Sequence, residues 1–587
     1  MLERAMISEV EPLDYFAVNM NINETIIYER AAQWCALAFS PVVPSEVPTN
    51  PRITRLEALA HVKTLRARIF DRDVLFTSAG LNELVRIKKQ LLLYPQLHKR
   101  ICLVPPRALR EGIAARSSKL LLNQARTRLA CRWPFASAHL DLTLGARIFF
   151  VVWLIGLVMI AALVPFTMRP FLVPLMAFLI LLPAGLRLAA AWFSARNDFC
   201  PIVAPVPDND LPVYTILIPL RDEANMVPQL AAAMKRLDYP PEKLDIKFVV
   251  ESRSEPTIKN VMAALDDVRF ELVIVPDQEP RTKPKALNFA LPMARGEFVV
   301  VYDAEDIVQP DQLRRAVALF VNEPGLDCLQ AELVIDNANE NWLTALFCGE
   351  YAGQFGLLLP ALSRWHMPLP LGGTSNHFRV RSLREMGGWD AFNVTEDADL
   401  GTRLTRLRYR ISTFSSRTYE EAPITIGAWM SQRTRWMKGW MQTFIVHNRH
   451  PVKFLQDIGW RNFLVFQAFV GGMIISAPLH SVFFVVFGLR LLAGGTSGGL
   501  LSDPWGVIQI IILVAGYGST FIVATLGLHR LGLNHLIKYQ LLLPFYWIFN
   551  SLAAMLAGYE LLTRPYFWAK TKHGITRFAR GADAGGK

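Results

Sequence analysis

The sequence predicts an α/β, Rossmann-like domain inserted between membrane-spanning helices, with a small mixed α/β domain ahead of them. Three observations carry this reading. Residues 211–340 alternate short β-branched runs with helical stretches, uncharged segments of span length flank that region, and the first 130 residues show neither pattern. At 587 residues the chain is too long for one core. With 52% hydrophobic and only 19% charged residues, it is too apolar for a purely water-soluble protein.

The N-terminal region, residues 1–135, reads as a cytoplasmic domain of regulatory or adaptor type. Its first thirty residues hold Glu3, Glu9, Glu11 and Asp14 and no apolar core of a signal peptide, so the N-terminus is expected to stay in the cytoplasm. A transmembrane hairpin over 146–193 follows: Ile148 to Met168 is uncharged, Arg169-Pro170 makes the turn, and Phe171 to Phe193 returns, with Arg187 placed to snorkel from its end. Arg116, Lys119, Arg126, Arg128 and Arg132 precede the hairpin and set both its flanks in the cytoplasm.

Residues 205–450 form the α/β domain. Tyr214 to Leu220, Ile246 to Val250, Glu271 to Val275 and Phe298 to Tyr302 read as buried parallel strands. Ligand-binding residues of such sheets gather at the carboxyl ends of strands, and Asp222, Glu223, Glu251, Asp303, Glu305 and Asp306 stand there. Apolar segments return at Phe463 to Leu492, Val507 to Leu528 and Leu541 to Leu561. The first exceeds one span and contains Pro478; splitting it there gives about four helices over 461–561, six spans in all, and a basic cytoplasmic tail at 562–587. The net charge of +12 is then explained by Lys and Arg flanking the spans, and no nucleic-acid partner is expected without a basic stripe interleaved with stacking aromatics. The six scattered cysteines show neither disulfide nor zinc spacing.

Chemistry concentrates in three places. Asp303-Ala304-Glu305-Asp306 ends a strand with the hard oxygen donors that a divalent cation prefers. Thr395-Glu396-Asp397 lies where a helix begins, with Thr395 as its cap. Gln432-x-x-Arg435-Trp436 combines an amide, a fixed cation that grips phosphate oxygens, and a flat ring for a sugar face. Trp429, Met430, Trp436, Met437, Trp440 and Met441 recur at helical spacing, as an interfacial helix would show them.

Together these resemble the D, D, D, Q-x-x-R-W signature of processive family 2 membrane glycosyltransferases, which build cellulose, related β-glucans, chitin and hyaluronan. The resemblance runs from about Phe193 to Thr576. It implies a GT-A catalytic domain, with Asp397 as general base beside Glu396 and Thr395. It assigns Asp303 and Glu305 to Mg²⁺ or Mn²⁺, Gln432, Arg435 and Asp303 to the donor diphosphate, and Trp436 to the acceptor. R-T-K-P-K-A-L-N-F-A-L resembles the lysine-containing donor segment, which adds Lys283 and Lys285. L-G-G-T-S-N-H-F resembles the acceptor loop, which adds Gly373 and Thr374, and F-W-A-K-T-K-H-G loosely resembles a gating loop that closes over the donor. One departure touches the nucleotide: where relatives carry paired aspartates, this chain has V-V-E-S-R-S-E-P-T, so Glu251 is the candidate donor contact.

The implied function is inverting hexosyl transfer, with glucose from UDP-glucose, onto a growing polysaccharide exported through a multi-pass bacterial inner-membrane protein whose catalytic domain is cytoplasmic. The partners implied are the UDP-sugar, the polysaccharide, the lipid bilayer, and cyclic di-GMP or a periplasmic export protein. The N-terminal region faintly resembles the small N-terminal domain of type II secretion ATPases, some of which bind cyclic di-GMP, but the nucleotide-contacting motif is not matched here. The alternatives are a non-processive glycolipid glycosyltransferase and a catalytically idle nucleotide-sensing receptor.

Overall fold

The computed structural model describes residues 1–44, 56–69, 72–167, 169–196, 203–493, 504–568, 570, 574 and 576. Near the N-terminus, strands β1 (Ala38–Phe39), β2 (Thr64–Ile69), β3 (Arg72–Thr77) and β4 (Ile101–Leu103) form a mixed sheet in the order β1-β4-β3-β2.

This region is not a separate body. Leu109, Ile113, Leu121 and Ala125, from its last two helices, share one core with Val273, Leu287 and Phe289 of the catalytic region. A buried ion network crosses the same junction. Arg110 reaches Glu271 at 3.1 Å, Lys247 reaches Glu271 at 2.7 Å and Asp245 at 3.0 Å, and Arg295 reaches Asp245 at 3.0 Å. Burial opposes ionisation of Glu271, yet Arg110 and Lys247 outweigh it and hold its carboxyl below the usual range. Each member is tolerable in the interior only because the others neutralise it.

Two long helices follow, α1 (Leu144–Thr167) and α2 (Arg169–Arg196), meeting at residue 168, which lies outside the described residues together with the side chains of 160–179. The expected turn at Arg169-Pro170 adjoins that gap.

The catalytic sheet has eight strands: β5 (Tyr214–Leu220), β6 (Leu244–Glu251), β7 (Phe270–Val275), β8 (Phe298–Val301), β9 (Ile307–Val308), β10 (Leu326–Ile335), β11 (Asn376–Arg379) and β12 (Arg410–Glu420). Their order is β7-β6-β5-β8-β11-β10-β12-β9. The four predicted strands pair in parallel with in-step registers such as Ile216 with Ile246 and Val300. Beyond β8 the sheet is mixed: β11 runs antiparallel to both β8 and β10, and β12 runs parallel to β10. The helices that position the site are α3 (Lys283–Ala290), α4 (Trp342–Gly353), α5 (Glu396–Arg406) and α6 (Ile426–Asn448).

After a helix over Pro451–Phe466 that bends at Gly459, and a π-helical turn over Gln467–Gly471, come α7 (Gly472–Ala493), α8 (Pro504–Arg530) and α9 (Leu543–Thr563). Among the described residues, three stretches are long and apolar enough to cross a membrane: Pro451–Ser481, Ile510–Arg530 and Asn534–Thr563. The expected break at Pro478 does not occur, because α7 continues through it. Proline removes a single backbone donor, and the rest of the helical ladder carries α7 through that position.

α9 lies along α6: Tyr546 accepts a hydrogen bond from Trp429 Nε1 at 3.0 Å near one end, and Glu560 meets Lys438 at 2.8 Å near the other. The described residues just beyond α9 lie against the α/β region, where the Phe567 carbonyl accepts from Lys438 at 2.8 Å. Lys572, Arg577, Arg580 and Lys587 of the expected tail lie outside the described residues.

Candidate active site

The carboxyl ends of β5, β6 and β8 open on one cavity of about 240 Å³. At the end of β5, Asp222 adopts φ +54° and is held by Ser254, whose hydroxyl donates to its carboxylate at 2.9 Å. Glu223, one residue on, receives Lys570 at 3.1 Å. At the end of β6, Glu251 faces the cavity and pairs with Lys285 at 3.0 Å. Lys285 is fully buried and also donates to the Gln278 carbonyl at 2.8 Å. In this structure it holds Glu251 in place and lies outside the residues that line the cavity.

After β8, Asp303 and Glu305 line the cavity, while Asp306 turns inward. Its carboxylate accepts from the Asp303 amide at 2.7 Å and from the Thr374 hydroxyl. Thr374 is 1% exposed and braces this turn through Asp306. Burial, with Asp303 and Glu305 adding to it, raises the Asp306 carboxyl well above its ordinary value. Glu420, at the end of β12, is raised likewise by burial and by the same acids. The cation facing this crowd is Lys283, 2.5 Å from Asp303 and 2.7 Å from the Gly373 carbonyl.

Gly373 is the floor on which these groups converge. A Cβ there would lie 3.3 Å from an Asp397 oxygen and 3.9 Å from both Asp303 and Lys283. Asp397 sits in the first turn of α5, where its carboxylate accepts the Ala398 amide at 2.8 Å. The predicted Thr395 cap is not made, and acidic side chains occupy this helix end instead. Desolvation raises the Asp397 carboxyl against the pull of Lys283 and Arg435; Glu396 is raised too, by burial and by Asp397. A base with a raised pKa must still be ionised to work, so its activity disappears as pH falls through that raised value. The acid limb of kcat/KM is therefore expected above about pH 4, the ordinary aspartate value, in a pH profile.

The Q-x-x-R-W helix, α6, reaches this point because of Gly439. A Cβ there would stand 2.1 Å from Thr395 Oγ1 and 2.7 Å from its Cβ, so only glycine lets the T-E-D turn touch the helix. Gly439→Ala is expected to cost about 1–3 kcal/mol of stability by overpacking and to lower turnover at least tenfold, measured as thermal midpoint and initial rate. Arg435 and Trp436 line the cavity. Arg435 has no ion pair within 4 Å among the described residues, while Glu396, Asp397 and Asp303 lie in its field. Gln432 is 8% exposed, and its Oε1 has no hydrogen-bond partner among the described residues. Trp436 stacks on Tyr351 at 6.3 Å, with Arg433 over its other surroundings at 4.7 Å.

Of the predicted residues, all but Lys285 and Thr374 line the one cavity. Residues beyond α9 close it. Trp568 lies between Arg221 and Arg435, at 5.7 Å and 5.6 Å, and Lys570 donates to the carbonyls of Arg221 and Asp222. The sequence reading missed Glu223 as a Lys570 partner, Glu420, and Arg433, which forms a two-pronged pair with Glu350. Arg433 falls within Q-x-x-R-W itself, so the motif held a signal for it; Glu420 carried none beyond ending a strand.

Two family models match the chain: glycosyl transferase family group 2 over residues 298–559, and glycosyl transferase family 2 over residues 215–375. The matched stretch, residues 215–559, takes in most of the mixed sheet described above. Similar curated proteins include the probable glycosyltransferase YdaM of Bacillus subtilis, 28% identical over 238 residues, 39% of this chain and 56% of that protein. β-Monoglucosyldiacylglycerol synthase of Trichormus variabilis is 28% identical over 246 residues, 40% of this chain and 50% of that protein. Glucomannan 4-β-mannosyltransferase 2 of Arabidopsis thaliana is 24% identical over 399 residues, 64% and 70%. The chain spans about half the length of the first two relatives. Among solved structures, a mannosyltransferase of Pyrobaculum calidifontis in complex with GDP-Man and Mn²⁺ aligns with a TM-score of 0.40 and 21% identity, over 59% of this chain and 98% of that one.

Proposed function

We propose that this protein is an inverting glycosyltransferase that moves a hexose from a nucleoside diphosphate sugar onto an acceptor hydroxyl at the membrane face. UDP-glucose is the donor named by the motif resemblance. The observation that carries the reading is the convergence of Asp397, Asp303, Lys283 and unpaired Arg435 on one cavity. In this reading Asp397 takes the acceptor proton as the hydroxyl attacks the anomeric carbon in line, and Arg435 meets the charge growing on the diphosphate. Gln432 supplies its unmet amide oxygen to a donor hydroxyl, and Glu251 faces the base. Trp568 and Lys570 close the donor mouth against water.

The cavity suits a divalent cation. Asp303 and Glu305 offer hard oxygens on the cavity wall, the crowding that raises the Asp306 and Glu420 carboxyls is the kind a bound cation would relieve, and diphosphate oxygens would complete the set. No cluster of three His, Cys, Asp or Glu groups placed to hold a metal occurs among the described residues, so the ion would arrive with the donor. Bound Mg²⁺ or Mn²⁺ would stabilise the departing diphosphate.

For the acceptor, the resemblance names a growing polysaccharide passing outward between the helices, with cyclic di-GMP or a periplasmic protein as accessory. A glycolipid is the second reading, and a specific observation favours it: a largely apolar cavity among the membrane helices adjoins the active site. A panel of nucleotide sugars with purified protein, with and without Mn²⁺, is the test. Release of nucleoside diphosphate from one donor, abolished by chelation, is expected; release from none would leave the idle-receptor reading standing.

A further inference from the structure

A second cavity of about 260 Å³ lies among α2, α4, α7, α8 and α9. It shares Glu350, Gln354, Arg433, Phe469 and Met473 with the active-site cavity, so the two adjoin. Most of its wall is aliphatic or aromatic, but three polar groups face into it without adequate partners. Arg187, expected to snorkel from the end of its span, is instead half-buried on this wall. It lies nine residues before Arg196, about 13 Å along the helix. Its Nη1 donates to Thr520 Oγ1 at 3.3 Å, and among the described residues no carboxylate lies within ion-pair distance. The nearby Glu350 is taken by both prongs of Arg433. Gln540, 1% exposed, has an unpartnered Oε1, and His480, 9% exposed, an unpartnered Nδ1.

A neutral saccharide gains little from a guanidinium that has no carboxylate within ion-pair distance among the described residues, whereas the mainly apolar wall suits acyl chains. An unneutralised cation among membrane helices is costly, and such residues mark ligand sites. An anion attached to apolar chains answers both features. We propose that this cavity is the acceptor site and that the acceptor is a phosphate-bearing membrane lipid, its phosphate held by Arg187 in charge-assisted hydrogen bonds and a headgroup hydroxyl presented to Asp397. The proposal rests on the transferase reading above. The lipid hydroxyl oxygen bonds to the anomeric carbon, the bond from that carbon to the diphosphate breaks, the hydroxyl proton passes to Asp397, and the nucleoside diphosphate leaves.

The test uses the full chain in nanodiscs of phosphatidylcholine alone or mixed with phosphatidylglycerol, with labelled UDP-glucose. Label is expected in chloroform-soluble product only in the mixed discs. Arg187→Gln is expected to raise the apparent KM for phosphatidylglycerol about tenfold, the scale of one lost charge-assisted contact, and Arg187→Lys to recover most of it. Equal lipid labelling by Arg187→Gln and the wild type, or label in alcohol-precipitable polymer made in phosphatidylcholine alone, overturns the lipid acceptor. Donor hydrolysis by the wild type is scored separately: hydrolysis without lipid labelling rejects this proposal alone, and no hydrolysis with any sugar nucleotide rejects the transferase reading beneath it.

Discussion

Asp397→Asn is expected to lower kcat about 10³-fold, equivalent to about 4 kcal/mol of transition-state stabilisation, while leaving donor binding near the wild-type level. Two features single out this residue. Of the two carboxylates near Gly373, an Asp397 oxygen would stand closer to a Cβ there, at 3.3 Å, and Asp303 is already engaged by Lys283 at 2.5 Å. Glu396 lines the same cavity, but burial and the neighbouring Asp397 push its carboxyl up to about 7. Asparagine keeps the shape and the Ala398 contact but accepts no proton. Single-turnover transfer of labelled sugar, beside a titration of donor binding, separates the two quantities; unchanged kcat would reject Asp397 as the base.

Arg435→Gln is the second large effect, with kcat expected to fall about 10²- to 10³-fold. The guanidinium has no ion pair within 4 Å among the described residues, so its removal leaves no partner charge stranded and little stability is lost. What is lost is charge aimed at the leaving diphosphate, and the deficit should be largest for the poorest leaving group. Arg435→Lys should restore only part, because one ammonium cannot replace a planar fork. Rates with donors of graded leaving-group strength, compared across the three proteins, check this. Equal deficits across the donors would instead assign Arg435 to holding the helix in place.

The same contrast shows what the sequence could reveal. Strands β5 to β8 were legible because parallel strands buried on both faces read as continuous β-branched runs. β10 and β12 were not, since Cys328, Gln330, Thr413, Ser416 and Thr418 dilute them with polar side chains; Gln312 donates to Ser416 and Thr418, and Gln330 to the Ala331 and Thr374 carbonyls. In the site, residues in compact motifs were found, whereas those defined by long-range pairing were not. Lys285 reads as a phosphate lysine, and only the fold sets Glu251 against it; Thr374 reads as an acceptor contact, and only the fold sets Asp306 against it. The N-terminal region looked separate because Arg110, Lys247 and Glu271 are unremarkable charges until folding buries them together. Pro478 misled for the opposite reason: a strong local signal was outweighed by helix packing.

The closure of the donor mouth by Lys570 joins carbonyls 349 and 348 positions apart in the chain. Every strand and helix of the catalytic domain is synthesised before that residue emerges, and α9 must first settle along α6 to bring it there. On the transferase reading, the latch over the donor cleft is thus the last of its parts to form in chain order, after the residues it covers.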